Sequence, residues 1–143
     1  LCDIRIAAEG ARFMLPEATH GVIPDTGGVA RLFQMAGHGL ASDLVLTGRV
    51  LTAEEALAAG VVSRIVPPDE LDTVAREMAD KIAAAPPLTV KLARRVISNL
   101  ASPEVRASME EELLAQTVLT TSHDFAEFKA ARAEERDPTY TRG

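Results

Sequence analysis

Two carboxylates stand eight residues apart in a segment rich in Gly and Pro near the start of the chain. Glu17 follows Pro16 and the three apolar residues 13–15. A Glu among apolar neighbours loses part of its hydration, and such a group can act as an acid or base near neutral pH. We therefore interpret Glu17 as the stronger candidate for proton transfer, with a solvated loop carboxylate as the alternative.

The second carboxylate, Asp25, precedes the pair Gly27-Gly28 and a helix-like run. Asp is a preferred N-cap residue, and the positive end of a helix dipole favours a carboxylate there. Helix capping or turn formation is therefore as good an interpretation of Asp25 as catalysis. The two glycines can also be read as an anion-binding nest. Neither a GxGxxG pattern nor a P-loop lysine follows, so no nucleotide-binding fingerprint is predicted.

The other reactive residue types are sparse. His20 has no Ser or Cys nucleophile beside it, so we predict a hydrogen-bonded structural histidine. Cys2, the only cysteine of the chain, cannot form an internal disulfide, and we predict a buried, small hydrophobic side chain. Since no Cys or His cluster has metal-ligand spacing, we predict no metal site.

The sequence divides into two parts near residue 66. Residues 1–66 form a compact part of short strands, loops and short helices, and this part contains the loop with the candidate carboxylates. Residues 67–143 form a helical region suited to packing on the first part or on a partner subunit. The predicted strands are 1–8, 12–15 and 61–66. The predicted helices are 29–36, 40–46, 52–60, 69–85, 88–100, one that begins at Ser102-Pro103, and one from Ser122 to about residue 137.

Local signals set several of these helix ends. Gly37 and Gly48 are predicted to end helices, and Thr52 with Glu55 three residues later matches a capping box. The run Ser102-Pro103-Glu104 offers an N-cap, a first-turn proline and an early acid, which predicts a new helix there. Five apolar residues of the helix 88–100 are predicted to face inward, namely Val90, Leu92, Ala93, Val96 and Ile97.

Composition excludes some classes of function. The chain has 143 residues, of which 47% are hydrophobic, enough for a core. With 15 basic and 21 acidic residues its net charge is −6, so no nucleic-acid partner is predicted. The apolar start is too short to span a membrane and lacks a basic leader, so we predict a cytoplasmic protein without a membrane partner. Leu1 opens a strand-like run, which suggests a fragment.

A series of short motifs follows a particular order and spacing along the chain. They are Cys2-Asp3-Ile4, Ala11-Arg12-Phe13, Pro16-Glu17, Gly21-Val22-Ile23-Pro24, Gly27-Gly28, Arg31-Leu32, Leu46-Thr47-Gly48-Arg49 and Ala59-Gly60-Val61-Val62. This set closely resembles the second half of the core of the enoyl-CoA hydratase/isomerase (crotonase) family. The resemblance covers nearly the whole chain. It implies that the chain corresponds to the C-terminal half of a family member.

The resemblance implies an α/β fold class, with residues 1–66 as the second half of a core of spiralling ββα turns that carries the active-site loop. It implies that residues 67–143 form a helical region for oligomerisation and the CoA pocket, in a homotrimer or a hexamer of two trimers. It also implies an acyl-CoA thioester as substrate, with coenzyme A entering as part of the substrate and no separate cofactor. In the family, two backbone N–H groups form an oxyanion hole for the thioester oxygen. Those donors, and the first of two catalytic glutamates, belong to segments that precede the region matched by Leu1.

For individual residues, Glu17 matches the second of the two family glutamates. Asp25 departs from the Gly that is common in hydratases and resembles the Asp of certain family isomerases, where it can shuttle a proton. Pro24, Gly27 and Gly28 are expected to contact the substrate. The closing helix of the family often contributes an aromatic residue and a Lys to a neighbouring subunit's CoA pocket. In this chain those two positions hold Arg132 and Glu135. Arg132 is expected either to meet a CoA phosphate or to lie on a solvated helix face.

From these residues and the resemblance we predict an enoyl-CoA hydratase or isomerase that uses carboxylates as general acid and base and stabilises an enolate. A non-catalytic assembly partner of the same fold, or pseudoenzyme, is one alternative. A hydrolase of acyl-CoA thioesters is another.

Overall fold

The computed structural model describes residues 2–141, and for residues 101–104 it describes only the course of the backbone. Four short strands lie in the first half: β1 (Ile6–Ala8), β2 (Arg12–Phe13), β3 (Leu51–Thr52) and β4 (Arg64–Val66). The α-helices are α1 (Gly28–Thr47), α2 (Ala53–Ala58), α3 (Leu71–Ala83), α4 (Pro87–Leu119) and α5 (His123–Ala133). Two 3₁₀ turns cover Glu17–His20 and Pro68–Glu70.

The strands form two small pairs. β1 runs parallel to β4, with Ile6 opposite Arg64, and β2 runs antiparallel to β3, with Phe13 opposite Leu51. The sequence did not predict β3, and the observed strands are shorter than predicted. For β4 the reason is visible: the amides of residues 61 and 62 both donate to the carbonyl of Ala56 and so close the end of α2. Those residues cannot also pair along the full predicted strand.

Glycine interrupts the first long helix where the sequence predicts an end. Gly37 has φ 76° and ψ 172° inside α1, so two helical segments meet there at a kink. Gly48 follows α1 in the left-handed region, and its N–H donates to the carbonyl of Leu44. The two predicted helices are therefore confirmed as the two arms of α1.

The predicted capping box at the start of α2 is confirmed. The Thr52 hydroxyl accepts from the Glu55 N–H at 3.2 Å, and the Glu55 carboxylate accepts from the Thr52 N–H at 2.9 Å. Arg49 donates to Asp43 at 2.5 Å and to Glu55 at 3.1 Å, which ties the end of α1 to this helix. The core lies between α1, α2 and the strands. Its buried side chains are Ala7, Leu32, Ala41, Leu44, Leu51, Ala53, Ala56, Val61 and Val62.

The helix α4 corrects two predictions. It runs without a break from Pro87 to Leu119, so the predicted new helix at Ser102-Pro103 does not form. A proline inside a helix removes one backbone hydrogen bond, and here helical turns continue on both sides of it. Residues 91–100 are all exposed, with Val96 at 60% and Ile97 at 65%, whereas Val90 is half-buried. Among the described residues, the prediction that this face points inward is therefore wrong for four of its five residues. An apolar stripe shows that a face is apolar without showing what covers it.

The last helix begins as predicted, since the Ser122 hydroxyl accepts from the Phe125 N–H at 3.2 Å. α5 ends at Ala133, and the chain continues without helix to residue 141. All strands found in residues 2–141 precede Pro67, in agreement with the predicted change to helices. None of the helices in that range combines the length and the hydropathy needed to cross a membrane.

Candidate active site

The site begins with Glu17, the first residue of the 3₁₀ turn that follows Pro16. One carboxylate oxygen of Glu17, Oε2, is buried, and no described residue gives it a hydrogen bond. A buried polar atom without a partner costs about 1–3 kcal/mol, so such atoms are rare in folded proteins and often belong to functional groups. Glu17 is thus a half-buried carboxylate with one buried oxygen that has no hydrogen-bond partner among the described residues.

The turn that carries Glu17 is held by the end of the chain. The hydroxyl of Tyr140 donates to the carbonyl of Thr19 at 2.6 Å, and the ring of Phe128 in α5 stacks on His20 with 4.5 Å between centroids. His20 therefore has a packing role. Gly21 lies so close to α5 that an added Cβ would stand 3.2 Å from the backbone nitrogen of Phe125.

Asp25 lies exposed on the loop between the turn and α1. The structure gives the Asp25 side chain no hydrogen bond or ion pair with the described residues. The N-cap of α1 is Gly27, and no side chain within the local segment caps the helix. The capping interpretation of Asp25 is therefore wrong, and its carboxylate is free of structural partners.

The carboxylate that meets the N-terminus of α1 comes from α4. Glu112 is 3% exposed, and its Oε2 accepts from the Gly27 N–H at 2.7 Å. One turn later, Gln116 accepts from the Ile23 N–H at 3.2 Å. Sequence reasoning missed both residues. Glu112 lies seven residues after the buried Val105, on the same face of α4, so a charged residue on a buried face was the available signal.

The two glycines are packed closely. An added Cβ at Gly27 would lie 3.2 Å from Cγ of Met109, and one at Gly28 would lie 3.0 Å from Cβ of Pro24. Pro24 itself is buried. Because the Gly27 N–H already binds Glu112, this donor is not part of an open anion nest.

Two neighbouring cavities open beside the glycines. The larger, about 400 Å³, is lined by Cys2, Asp3, Arg5, Thr26, Gly27, Gly28, Arg31, Gln34, Met35, Arg94 and Ser98. The smaller, about 240 Å³ and mainly apolar, is lined by Phe13, Met14, Leu15, Gly28, Arg31, Leu32, Met35, Leu44, Leu51 and Val61.

Of the predicted site residues, only Gly27 and Gly28 line these cavities. Glu17, Pro24 and Asp25 lie on the same loop but line neither of them. Arg132 lies apart, exposed on α5.

Charged side chains surround the larger cavity. Arg94 donates to Asp3 at 2.9 Å, and this contact lowers the pKa of the Asp3 carboxyl below its usual value. Arg5 donates to the carbonyls of Val61 and Cys2. Cys2 is exposed, so the prediction of a buried side chain is wrong. The reason is that β1 begins only at Ile6, which leaves residues 2–5 outside the strand pair.

The fold and the carboxylate site define a crotonase-like α/β protein. The backbone matches a crystal structure of an enoyl-CoA hydratase/isomerase from Pseudoalteromonas atlantica T6c, with a TM-score of 0.92 and 34% identity over 98% of this chain and 56% of that one. The chain belongs to the enoyl-CoA hydratase/isomerase family, whose model matches residues 1–143. The match therefore extends over the whole chain and not only over a C-terminal half of it.

Curated relatives agree with this assignment. The chain is 36% identical to 2,3-dehydroadipyl-CoA hydratase of Escherichia coli (strain K12), over 98% of this chain and 55% of that protein. It is 43% identical to a probable mitochondrial enoyl-CoA hydratase of Dictyostelium discoideum, over 98% of this chain and 50% of that protein. The chain thus spans about half the length of the relatives it matches.

Proposed function

We propose that this chain is part of an enzyme that hydrates or isomerises enoyl-CoA thioesters, with Glu17 as general acid and base. The observation that carries the proposal is the buried Oε2 of Glu17, which no described residue binds. A protein keeps such an oxygen unpaired, at a cost in stability, where it must exchange a proton with a substrate. The match of residues 1–143 to the family supplies the class of substrate.

The chemistry requires a proton to leave or join a carbon of the acyl chain. When Glu17 accepts a proton next to the thioester carbonyl, the electron pair of the broken C–H bond moves onto the carbonyl oxygen as an enolate. In the family two backbone N–H groups stabilise that oxygen, and we place both donors outside residues 1–143, in the N-terminal half of the enzyme.

Asp25 decides between the two reactions in this proposal. Asp25 is an exposed carboxyl group without a partner among the described residues, on the loop that begins at Glu17. Isomerisation is balanced when Glu17 removes a proton from one carbon of the acyl chain and Asp25 gives a proton to a second carbon, or the reverse, so that the double bond moves between the two carbons. Isomerisation is therefore proposed beside hydration. Pro24, Gly27 and Gly28 shape the loop next to the substrate. Arg132 is proposed to meet a CoA phosphate, since it is exposed and charged.

The first prediction concerns Glu17. In the full-length protein, Glu17→Gln should lower the turnover of a short enoyl-CoA by at least about 100-fold, since general acid–base catalysis contributes that much. Glu9→Gln, an exposed carboxylate outside the loop, is the matched control and should leave turnover unchanged. The measurement is the loss of the conjugated enoyl thioester together with chromatography of the products.

Other outcomes would identify the alternatives. Equal turnover by wild type and Glu17→Gln would contradict the assignment of Glu17. Release of free CoA would identify a thioester hydrolase. A well-folded full-length protein that binds acyl-CoA without converting it would identify a non-catalytic member of the family.

The proposal extends to assembly and location. We propose a cytoplasmic homotrimer or hexamer that needs no metal and no cofactor apart from the CoA of its substrate. The support for assembly is the exposed apolar face of α4, which the described residues leave uncovered.

A further inference from the structure

Glu112 is the most deeply buried acidic side chain that the structure describes outside the catalytic loop, at 3% exposure. Both of its oxygens have partners, because Oε2 accepts from the Gly27 N–H at 2.7 Å and Oε1 accepts from the Ser108 hydroxyl at 3.3 Å. A charge-assisted hydrogen bond to a backbone N–H is among the stronger polar contacts in proteins. The contact that the buried Glu112 carboxylate makes with the loop is therefore the hydrogen bond from the Gly27 N–H.

The same face of α4 holds the other end of the loop. Gln116 accepts from the Ile23 N–H at 3.2 Å, so the backbone is fixed on either side of Pro24 and Asp25. Asp25 has no hydrogen bond or ion pair within the described residues. Its position is therefore set through the backbone at residues 23 and 27.

The conformation at Gly27 depends on this contact. Gly27 has φ 82°, in the left-handed region, and the side chain of Met109 fills the space where a Cβ would lie. That conformation turns the Gly27 N–H toward Glu112 and begins α1 at Gly28. Because Glu112 occupies the positive end of α1, Asp25 is not drawn into the capping position that its sequence favours.

We propose that Glu112 is a positioning residue for the reaction: it holds the 23–28 loop from α4 and keeps the Asp25 carboxylate free for proton transfer. The inference rests on the proposed function and adds to it a residue that lies 85 positions after Gly27 in the chain. Glu112 does not touch the substrate in this scheme. It acts only through the backbone of the loop.

Two variants separate the contact from the charge. The amide oxygen of Glu112→Gln can still accept from the Gly27 N–H, whereas Glu112→Ala leaves that donor without a partner. In the full-length protein we expect Glu112→Ala to lower kcat/KM about tenfold or more, as misplaced catalytic groups do. Glu112→Gln should keep most of the wild-type kcat/KM. Glu111→Ala, the exposed neighbour on α4, is the control and should match wild type.

A double-mutant cycle with Asp25→Asn tells positioning from a general loss of stability. If Glu112 acts through Asp25, Glu112→Ala should cost little more once Asp25→Asn is present, while independent sites add to within about twofold. Amide hydrogen exchange at Gly27 reads the contact without any activity, and it should be faster in Glu112→Ala and near wild type in Glu112→Gln.

Fully additive losses, or unchanged exchange at Gly27, in an active enzyme would overturn this inference while the proposed function stands. A wild-type protein that converts no enoyl-CoA would overturn the proposed function, and the inference with it.

Discussion

At the scale of single residues, two carboxylates compete for one helix end. Asp25 has the residue type of an N-cap and stands two residues before Gly27, the N-cap position, yet the structure puts Glu112 of α4 at the N-terminus of α1. A buried carboxylate that accepts a hydrogen bond from the N-terminus of a helix is not available to take a proton from a substrate. The exchange of roles therefore separates a structural carboxylate from one that is available for chemistry.

Gly27 gives a test of the loop conformation. Gly27→Ala should destabilise the protein by roughly 1–3 kcal/mol, because a Cβ at φ 82° is strained and would also press on Met109. Gly39→Ala is the control, since nothing lies within 4 Å of its added Cβ and its φ is not positive. That variant should be neutral or stabilising by up to about 1 kcal/mol. Thermal unfolding of both full-length variants measures the difference, and equal stability would contradict the conformation at Gly27.

At the scale of elements, α5 and the tail after it are joined by one ion pair. Arg136 donates two hydrogen bonds to Glu127, at 2.5 and 3.0 Å, and the Thr139 N–H donates to the same carboxylate at 2.8 Å. These contacts lower the pKa of Glu127 to about 2, the hydrogen bond from Arg136 being the main cause. The tail then reaches back so that Tyr140 binds the turn that carries Glu17.

The pair predicts how the tail responds to acid. Because folding lowers the pKa of Glu127, the contribution of the pair is complete above the ordinary pKa of 4.5 and is lost as the pH falls toward 2. The NMR signal of the Thr139 amide should therefore shift across this range. In Glu127→Gln that response should be absent. Glu134→Gln is the control, since Glu134 is exposed and accepts only from Nε of Arg136. A Thr139 signal that stays constant in wild type from pH 4.5 to pH 2 would contradict this account.

Helix ends show which elements a sequence can predict. The starts of α2 and α5 were predicted correctly because Thr52 and Ser122 bond to amides three residues away. The break predicted at Ser102-Pro103 used the same kind of signal and was wrong, because α4 continues through it. The signal for a cap is local, whereas the continuation of a 33-residue helix depends on the turns on both sides.

At the scale of the whole molecule, the exposed part of α4 forms a surface that the part of the chain described by the structure does not cover. Four apolar residues repeat every four positions along it, with exposures of 68%, 49%, 60% and 82%. They are Leu88, Leu92, Val96 and Leu100. Apolar stripes of this regularity on a helix are typical of faces that pack against another element.

This surface predicts how a mutation would affect assembly. If α4 packs against a second copy of the chain, Leu100→Asp should shift the full-length protein from trimer or hexamer to smaller species, because a charge would be buried in an apolar contact. Lys91→Asp, on another face of α4, should leave the assembly unchanged. Sedimentation measures the species, and circular dichroism checks that the helices remain. An intact trimer of Leu100→Asp would place the interface elsewhere.

By itself, the sequence determined the caps of α2 and α5, the break of the first long helix at Gly37 and the interest in Glu17, because each depends on residue types within a few positions of one another. It also determined the family, because the order and spacing of short motifs are kept along the chain. Only the tertiary structure decided that Glu17 keeps a buried oxygen without a partner and that Glu112 holds Gly27. Glu112 and Gly27 are 85 positions apart, and their contact exists because α4 packs beside α1. Burial and pairing are properties of the folded surroundings, and no local pattern encodes which distant side chain will supply them.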